Sequence, residues 1–236
     1  MAKLFSFGLN ILADIFYPKY CFGCKRASSY LCKFCITQVP LGQKNFCIVC
    51  NTPSVQGWTH PKCQTELSAG RLLSAMSYDN RTVSDMVITG KYYFIPEVFK
   101  ILGALTAHSL IRNGFEEECR GFVICPIPLH TQRLRWRGFN QSEVAGKIIA
   151  QAFQLPFHNL LIRSKKTKTQ KDLNAEARKQ NMINAFEIPK IYVGKLPEKI
   201  ILIDDVTTTG QTFTEAARAL KLNGAKTVWC ISIAKD

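Results

Sequence analysis

The stretch Ile200-Ile201-Leu202-Ile203-Asp204-Asp205-Val206-Thr207-Thr208-Thr209-Gly210-Gln211-Thr212 decides the fold. Its first four residues are branched and apolar without alternation, the pattern of a parallel strand covered on both faces. Two acids follow, then a turn of threonines and glycine, then a helix expected from Thr212 to Leu222 and stopped by Asn223-Gly224. Thr227 to Ile233 reads as the next strand. Strand, helix, strand is a βαβ unit, so the class is α/β. In an open α/β sheet, ligands collect at the carboxyl ends of the strands. Gly210 permits a positive φ and a close backbone approach. N–H groups and hydroxyls at the helix start, Thr207, Thr208, Thr209, Gly210, Gln211 and Thr212, can cradle a phosphate with help from the helix dipole. Asp204 and Asp205 suit ribose hydroxyls and a nearby Mg²⁺. Taken apart, the acid pair could be a cap or a bare Mg²⁺ site and the threonines an ordinary helix cap. Taken as one ordered string, they point to a phosphorylated ribose such as phosphoribosyl pyrophosphate (PRPP). No GxxxxGK[ST] occurs, so a P-loop nucleotide site has no support.

Upstream, the same alternation of strand-like and helix-like stretches continues back to about Leu72. Ser142 to Phe153 places Val144, Ala145, Ile148 and Ile149 at helical spacing, and Gly121 to Cys125 reads as a short buried strand running into Pro126-Ile127-Pro128. Asp85 to Leu110 reads as helix, a break near Tyr92 to Pro96, then helix again. Leu4, Phe7, Ile11, Leu12 and Ile15 predict a further short helix over residues 3–16, ended by Pro18.

Between the proline-rich turn and the helix at 142 stand Arg133, Arg135 and Arg137, followed by Gly138-Phe139-Asn140-Gln141. Arginines at every second position followed by glycine predict a loop that presents guanidinium groups, and bidentate Arg–phosphate contacts fit a pyrophosphate. A nucleic-acid phosphate patch and a merely solvated loop are the competing readings. Arg163 to Lys179 holds seven basic and two acidic side chains and no apolar periodicity before Leu173, the signature of an exposed, mobile segment. A lid over the ligand, a contact for single-stranded nucleic acid and a plain linker are all compatible with it.

The cysteines are distributed unevenly. Seven of the ten fall between Cys21 and Cys63, in turn-rich sequence too short to bury a core of its own. Cys21-x₂-Cys24-x₇-Cys32-x₂-Cys35 is a four-thiolate set, and Cys47-x₂-Cys50-x₉-His60-x₂-Cys63 a Cys₃His set. Such spacing suits two closed tetrahedral structural Zn²⁺ sites rather than disulfides or a redox pair. The short gaps within each set favour sequential pairing, with crossed pairing the alternative. Cys119, Cys125 and Cys230 are most simply small core residues. The texture change gives two domains, a zinc-binding one over 1–68 and an α/β one over 69–236.

Composition sets the outer bounds. The 236 residues are 47% hydrophobic and 20% charged, which excludes wholesale disorder. No apolar run reaches the roughly 18 residues of a membrane span. Asp14 interrupts the apolar start and no cleavage site follows, so a cytoplasmic location is expected. The formal net charge of +14 stays strongly positive after allowing for zinc-bound thiolates and favours anionic partners.

The Asp204 to Thr212 string resembles the PRPP motif of type I phosphoribosyltransferases. That resemblance implies a type I phosphoribosyltransferase-like parallel sheet with helices on both faces. It also implies Asp204 and Asp205 on the ribose hydroxyls and Thr207 to Thr212 on the 5′-phosphate. Purine enzymes of that class usually carry an acid where this chain has Thr208, which argues against purine salvage. Arg137-Gly138-Phe139-Asn140-Gln141, then Thr169-Gln170, Leu173, Arg178, Asn181 and Ala185-Phe186, and then the Asp-Asp-Thr-Gly string closely resemble the ComF family, including its GntX branch. Its members are linked to DNA uptake in natural competence. The match runs over nearly the whole chain. It implies that Arg137, Gly138, Asn140 and Gln141 form the pyrophosphate-side signature, and that Gln170, Leu173, Arg178 and Asn181, beside Lys168, belong to the mobile loop. It also implies a cysteine-rich zinc-binding start, although His60 stands where a cysteine is more usual. The partners it implies are single-stranded DNA and a competence translocase or DNA-processing protein.

Overall fold

A computed structural model describes residues 18–27, 29–42, 45–164 and 185–236. The helix expected over 3–16 and the loop residues Lys168, Gln170, Leu173, Arg178 and Asn181 lie outside the described residues.

Four parallel strands form the sheet: β1 (Arg71–Ser77), β2 (Val123–Pro126), β5 (Lys199–Thr207) and β6 (Thr227–Lys235), in the spatial order β1-β6-β5-β2. A second antiparallel pair joins β3 (Ile162–Arg163) to β4 (Phe186–Glu187). The continuous apolar runs of β5 and β6 are explained by their burial on both sides. Ile200 and Leu202 pack with Phe213, Ala216 and Leu220 of one helix, while Ile201 and Ile203 pack with Ile149 and Phe153 of another. Helices therefore cover both faces, as the parallel-strand pattern requires.

The helices are α1 (Lys33–Ile36), α2 (Arg81–Tyr92), α3 (Pro96–Arg112), α4 (Phe115–Glu118), α5 (Thr131–Arg137), α6 (Gln141–Phe153) and α7 (Gln211–Leu222). Local chemistry sets several of their ends. Asn80 Oδ1 accepts the Val83 N–H at 3.1 Å, Pro96 opens α3, and Asn140 Oδ1 accepts the Ser142 N–H at 3.1 Å. In α7 the buried positions Phe213, Ala216, Ala217 and Leu220 form a single stripe against the sheet.

One expectation fails here. The arginines at 133, 135 and 137 are not in a loop but on helix α5, which Gly138 closes in a left-handed conformation, its N–H bonded to the Leu134 carbonyl at 2.8 Å. At about 100° per residue, alternate positions separate around a helix. Arg137 is accordingly buried, Arg133 half-buried and Arg135 exposed. The every-second spacing was misleading because a seven-residue helix needs only a cap and a stop, both supplied by His130 and Gly138.

The cysteine-rich segment packs against the sheet at two places. Cys21, Leu31, Cys35 and Val39 join Met76, Val83 and Phe99, whereas Ile48 joins Leu72, Leu202 and Phe213. Buried Arg71, at the start of β1, lies over the rings of Trp58, Phe115 and Trp229, 4.8–5.4 Å from their centroids, and is ion-paired with Glu118. No helix among the described residues is long and apolar enough to cross a membrane.

Candidate functional site

The neighbouring strands β2 and β5 end at the same level, since Pro126 pairs with Ile203 and the Ile127 N–H donates to the Ile203 carbonyl at 2.8 Å. Their register brings together the two stretches singled out in the sequence. Asn140 Nδ2 donates to the Ile127 carbonyl at 2.9 Å, which ties the start of α6 to the end of β2. From the first turn of α6, Ser142 Oγ donates to Asp204 Oδ1 at 2.8 Å.

Asp204 and Asp205 are consecutive strand residues, and such positions project to opposite faces. Their partners differ accordingly. Asp204 meets Ser142, while Asp205 Oδ2 lies 2.5 Å from Lys91 Nζ in the last turn of α2, a pair largely shielded from water. Burial, reinforced by the neighbouring Asp205 charge, pushes the Asp204 carboxyl up to about 7. Beyond the acids, Thr207 is buried, Thr208 half-buried and Thr209 exposed. Gly210 adopts φ +75° and stands at the N-terminal end of α7, where no side chain caps the free N–H groups. Gln211 and Thr212 begin the helix. The loop thus offers an uncapped helix start beyond half-buried Asp204 and buried Asp205.

Arg137 is 7% exposed and donates from Nη1 to Gln141 Oε1 at 2.6 Å, while its Nε has no hydrogen-bond partner. Burial pulls its pKa down, and the Asp205 charge partly restores it, so both belong to one electrostatic neighbourhood. Gly138 and Asn140 act through the backbone, the first ending α5 and the second capping α6. Lys91 and Ser142 were missed by sequence reasoning. Each reaches the acids through a tertiary contact from an unremarkable helix position, and no local motif marks such a position.

Both cysteine sets assemble as sequential groups. The ligand atoms of Cys21, Cys24, Cys32 and Cys35, and those of Cys47, Cys50, His60 and Cys63, lie within 4.8 Å of one another in each set. Tetrahedral zinc thiolates stand about 3.8 Å apart, given Zn–S bonds of ~2.3 Å. The Cys24–Cys32 sulfur distance is 3.9 Å, and His60 turns Nδ1 toward Cys50 Sγ at 3.4 Å. Backbone N–H groups of Cys32 and Cys35 point at the sulfurs of Cys21 and Cys32, both at 3.4 Å. Burial opposes ionisation of Cys21, but N–H donation from Cys32, Cys24 and Gly23 outweighs it and brings the thiol down to about 6. A hydrogen bond from Thr52 leads the same effect at Cys50, also to about 6. Both groups therefore have the donor set, the spacing and the thiolate-favouring N–H groups to hold Zn²⁺.

Fold and donor sets together define an α/β protein with an acid-and-threonine strand end and two cysteine-rich clusters able to hold a metal. No family model matches the chain. Individual relatives are clear. The DNA utilization protein YhgH of Escherichia coli O157:H7 is 30% identical over 223 residues, 85% of this chain and 96% of that protein. Competence protein F of Haemophilus influenzae is 32% identical over 115 residues, about half of each chain, and competence protein ComFC of Bacillus subtilis 38% identical over 109 residues. The chain belongs to the ComF family.

Proposed function

We propose that the carboxyl end of the sheet binds PRPP with Mg²⁺, that the protein serves DNA uptake and use, and that the site transfers the phosphoribosyl group. Buried Arg137, whose Nε has no hydrogen-bond partner and which feels the Asp205 charge, is the observation that carries the reading. A buried cation with an unused N–H is what an anionic ligand completes, and the uncapped start of α7 offers further donors at the same end of the sheet. In this reading the turn from Thr207 to Thr212 takes the 5′-phosphate, Asp204 and Asp205 the ribose hydroxyls, and Arg137 with Gln141 the pyrophosphate. Mg²⁺ would neutralise the pyrophosphate as it leaves. The chain's own contribution is positioning and electrostatics: the carboxylates would stabilise the positive charge that develops on the ribose as the bond from C1 to pyrophosphate breaks and a nucleophilic acceptor bonds to C1 in its place. Residues 1–68 would serve as the zinc-braced support of the domain over 69–236. The relatives' names connect such chains with competence and DNA utilization, which supports the DNA-linked role. Calorimetric titration of zinc-loaded protein with PRPP and Mg²⁺ tests it. Micromolar binding that is lost in Asp204→Asn/Asp205→Asn is expected. A well-folded wild type that fails to bind overturns it.

A second reading has its own observation. Tyr92, Phe94 and Trp136 form an exposed aromatic cluster, with Trp136 5.1 Å from Phe94 and 6.2 Å from Tyr92 between ring centroids, and Arg133 and Arg135 stand on the same helix as Trp136. Exposed rings beside arginines suit unpaired bases of single-stranded DNA, at about 1–3 kcal/mol per stacked base. Under this reading the chain would bind DNA without turning over PRPP, which its site would only sense, and would hand the strand to a translocase or DNA-processing partner. Trp136→Ala should weaken the binding of a labelled oligonucleotide, read by anisotropy, by about tenfold or more. Unchanged affinity removes this surface from consideration.

A further inference from the structure

The turn at 207–210 has little to hold it from within. Thr209 is exposed, Gly210 stands at φ +75°, and no side chain caps α7. Its outer wall comes from elsewhere in the chain. A Cβ placed on Gly210 would lie 3.1 Å from the carbonyl oxygen of Ile48 and 3.1 Å from its Cγ1. Ile48 stands between Cys47 and Cys50, is 2% exposed and packs in the same apolar cluster as Leu202 and Phe213. Two residues earlier, the Phe46 ring receives Lys235 Nζ at 5.4 Å, and Lys235 is the strand partner of Thr207. The cysteine turn therefore touches the segment directly at Gly210 and, at the other end, reaches the strand partner of Thr207. It is itself held by local bonds, Asn51 N–H to the Cys47 carbonyl and Cys47 N–H to the Thr52 carbonyl, both 2.9 Å, and by the His60 N–H on Cys47 Sγ at 3.5 Å. The first cysteine set lies in a cluster with α2 and α3 that reaches Val206 but, among the described residues, includes none of 207–210.

We propose that Ile48 is a positioning residue for the phosphate turn, and that the Cys47–Cys50 turn closed around its metal is the wall that sets residues 207–210. The role of that turn as a phosphate site rests on the function proposed above, whereas the coupling between the two turns does not. Glycine is favoured at 210 on two counts: a side chain would strain the backbone at φ +75° and crowd the Ile48 carbonyl, which would have to give by a few tenths of an ångström.

The test uses the full-length, zinc-loaded chain with Ile48→Ala and the milder Ile48→Val, which keeps the fold if the first does not. Metal analysis should show zinc content equal to wild type in both. Hydrogen exchange should quicken in peptides covering 207–214 and stay unchanged in α2 and α6. Affinity for ribose 5-phosphate should fall by about tenfold in Ile48→Ala, corresponding to ~1.4 kcal/mol, while affinity for magnesium pyrophosphate, which does not use this turn, should hold. Exchange at 207–214 equal to wild type overturns the proposal. So does an acceleration spread evenly over the sheet, or an equal loss for both ligands, because a merely structural residue would behave that way. If wild type binds neither ligand, the proposed function falls, and the exchange result alone decides the coupling.

Discussion

The two cysteine sets have nearly the same chemistry and very different positions. The first is walled by Met76, Val83 and Phe99 on the α2–α3 side, and the second shares a core with Leu202 and Phe213 and abuts Gly210. Two sets with the same ligand chemistry thus stand in different places relative to the strand end, and the proposed coupling makes them unequal for the site. Structural zinc contributes on the order of 10–16 kcal/mol at neutral pH, more than the net stability of most domains. The largest expected effect follows. Cys24→Ser/Cys32→Ser and Cys50→Ser/Cys63→Ser should each lower Tm severely. Measured in the cold on the folded fraction, only the second pair should weaken ribose-phosphate binding. Equal binding by both would dissolve the distinction.

A smaller effect separates charge from position within the site. Asp205 and Lys91 are 6% and 22% exposed as a pair, and removing one partner of a buried pair costs about 3–5 kcal/mol. Asp205→Asn should lower both Tm and PRPP affinity. Adding Lys91→Met should recover most of the Tm and none of the affinity, by thermal melts and calorimetry side by side. Recovery of both would assign Asp205 a structural role alone.

The pH dependence is of comparable size. Burial raises Asp204 to about 7 in the folded chain, against an ordinary carboxyl near 4 when unfolded. The folded state therefore binds the extra proton between these values, and stability falls as pH rises from about 4 to 7 and then levels. Asp204→Asn removes that penalty. Its Tm relative to wild type should rise by about 10 °C from pH 4 to pH 8, since a carboxyl moved from near 4 to about 7 corresponds to about 4 kcal/mol in a chain of this size. A flat difference would show that Asp204 ionises freely. The smallest effect belongs to Arg135, exposed where Arg137 is buried. Arg135→Ala should leave PRPP affinity within about twofold of wild type, well under 1 kcal/mol, whereas Arg137→Ala should abolish detectable binding in the same titration.

Most of the sheet was legible because parallel strands buried on both faces need unbroken apolar runs, and Lys199–Thr207 and Thr227–Lys235 show them. Helix α6 differed from its expected start by one residue, since Asn140 caps it. Helix α5 was misread because in seven residues the spacing of charge outweighed the cap and stop signals. Cysteine spacing foretold two sequential sets, as ligands close in sequence reach one ion at little chain-entropy cost.

The sequence by itself determined what is local: the acid-threonine-glycine string, the two metal-ligand sets, and the alternation that makes an α/β sheet. Only the tertiary structure decided which distant groups face them. Lys91 beside Asp205, Ser142 beside Asp204, Arg137 buried rather than displayed, and Ile48 against Gly210 all depend on strand order and helix packing. The physical reason is that burial and electrostatic coupling act across space between segments far apart in the chain, and no periodicity or spacing in a single chain records which segments will meet.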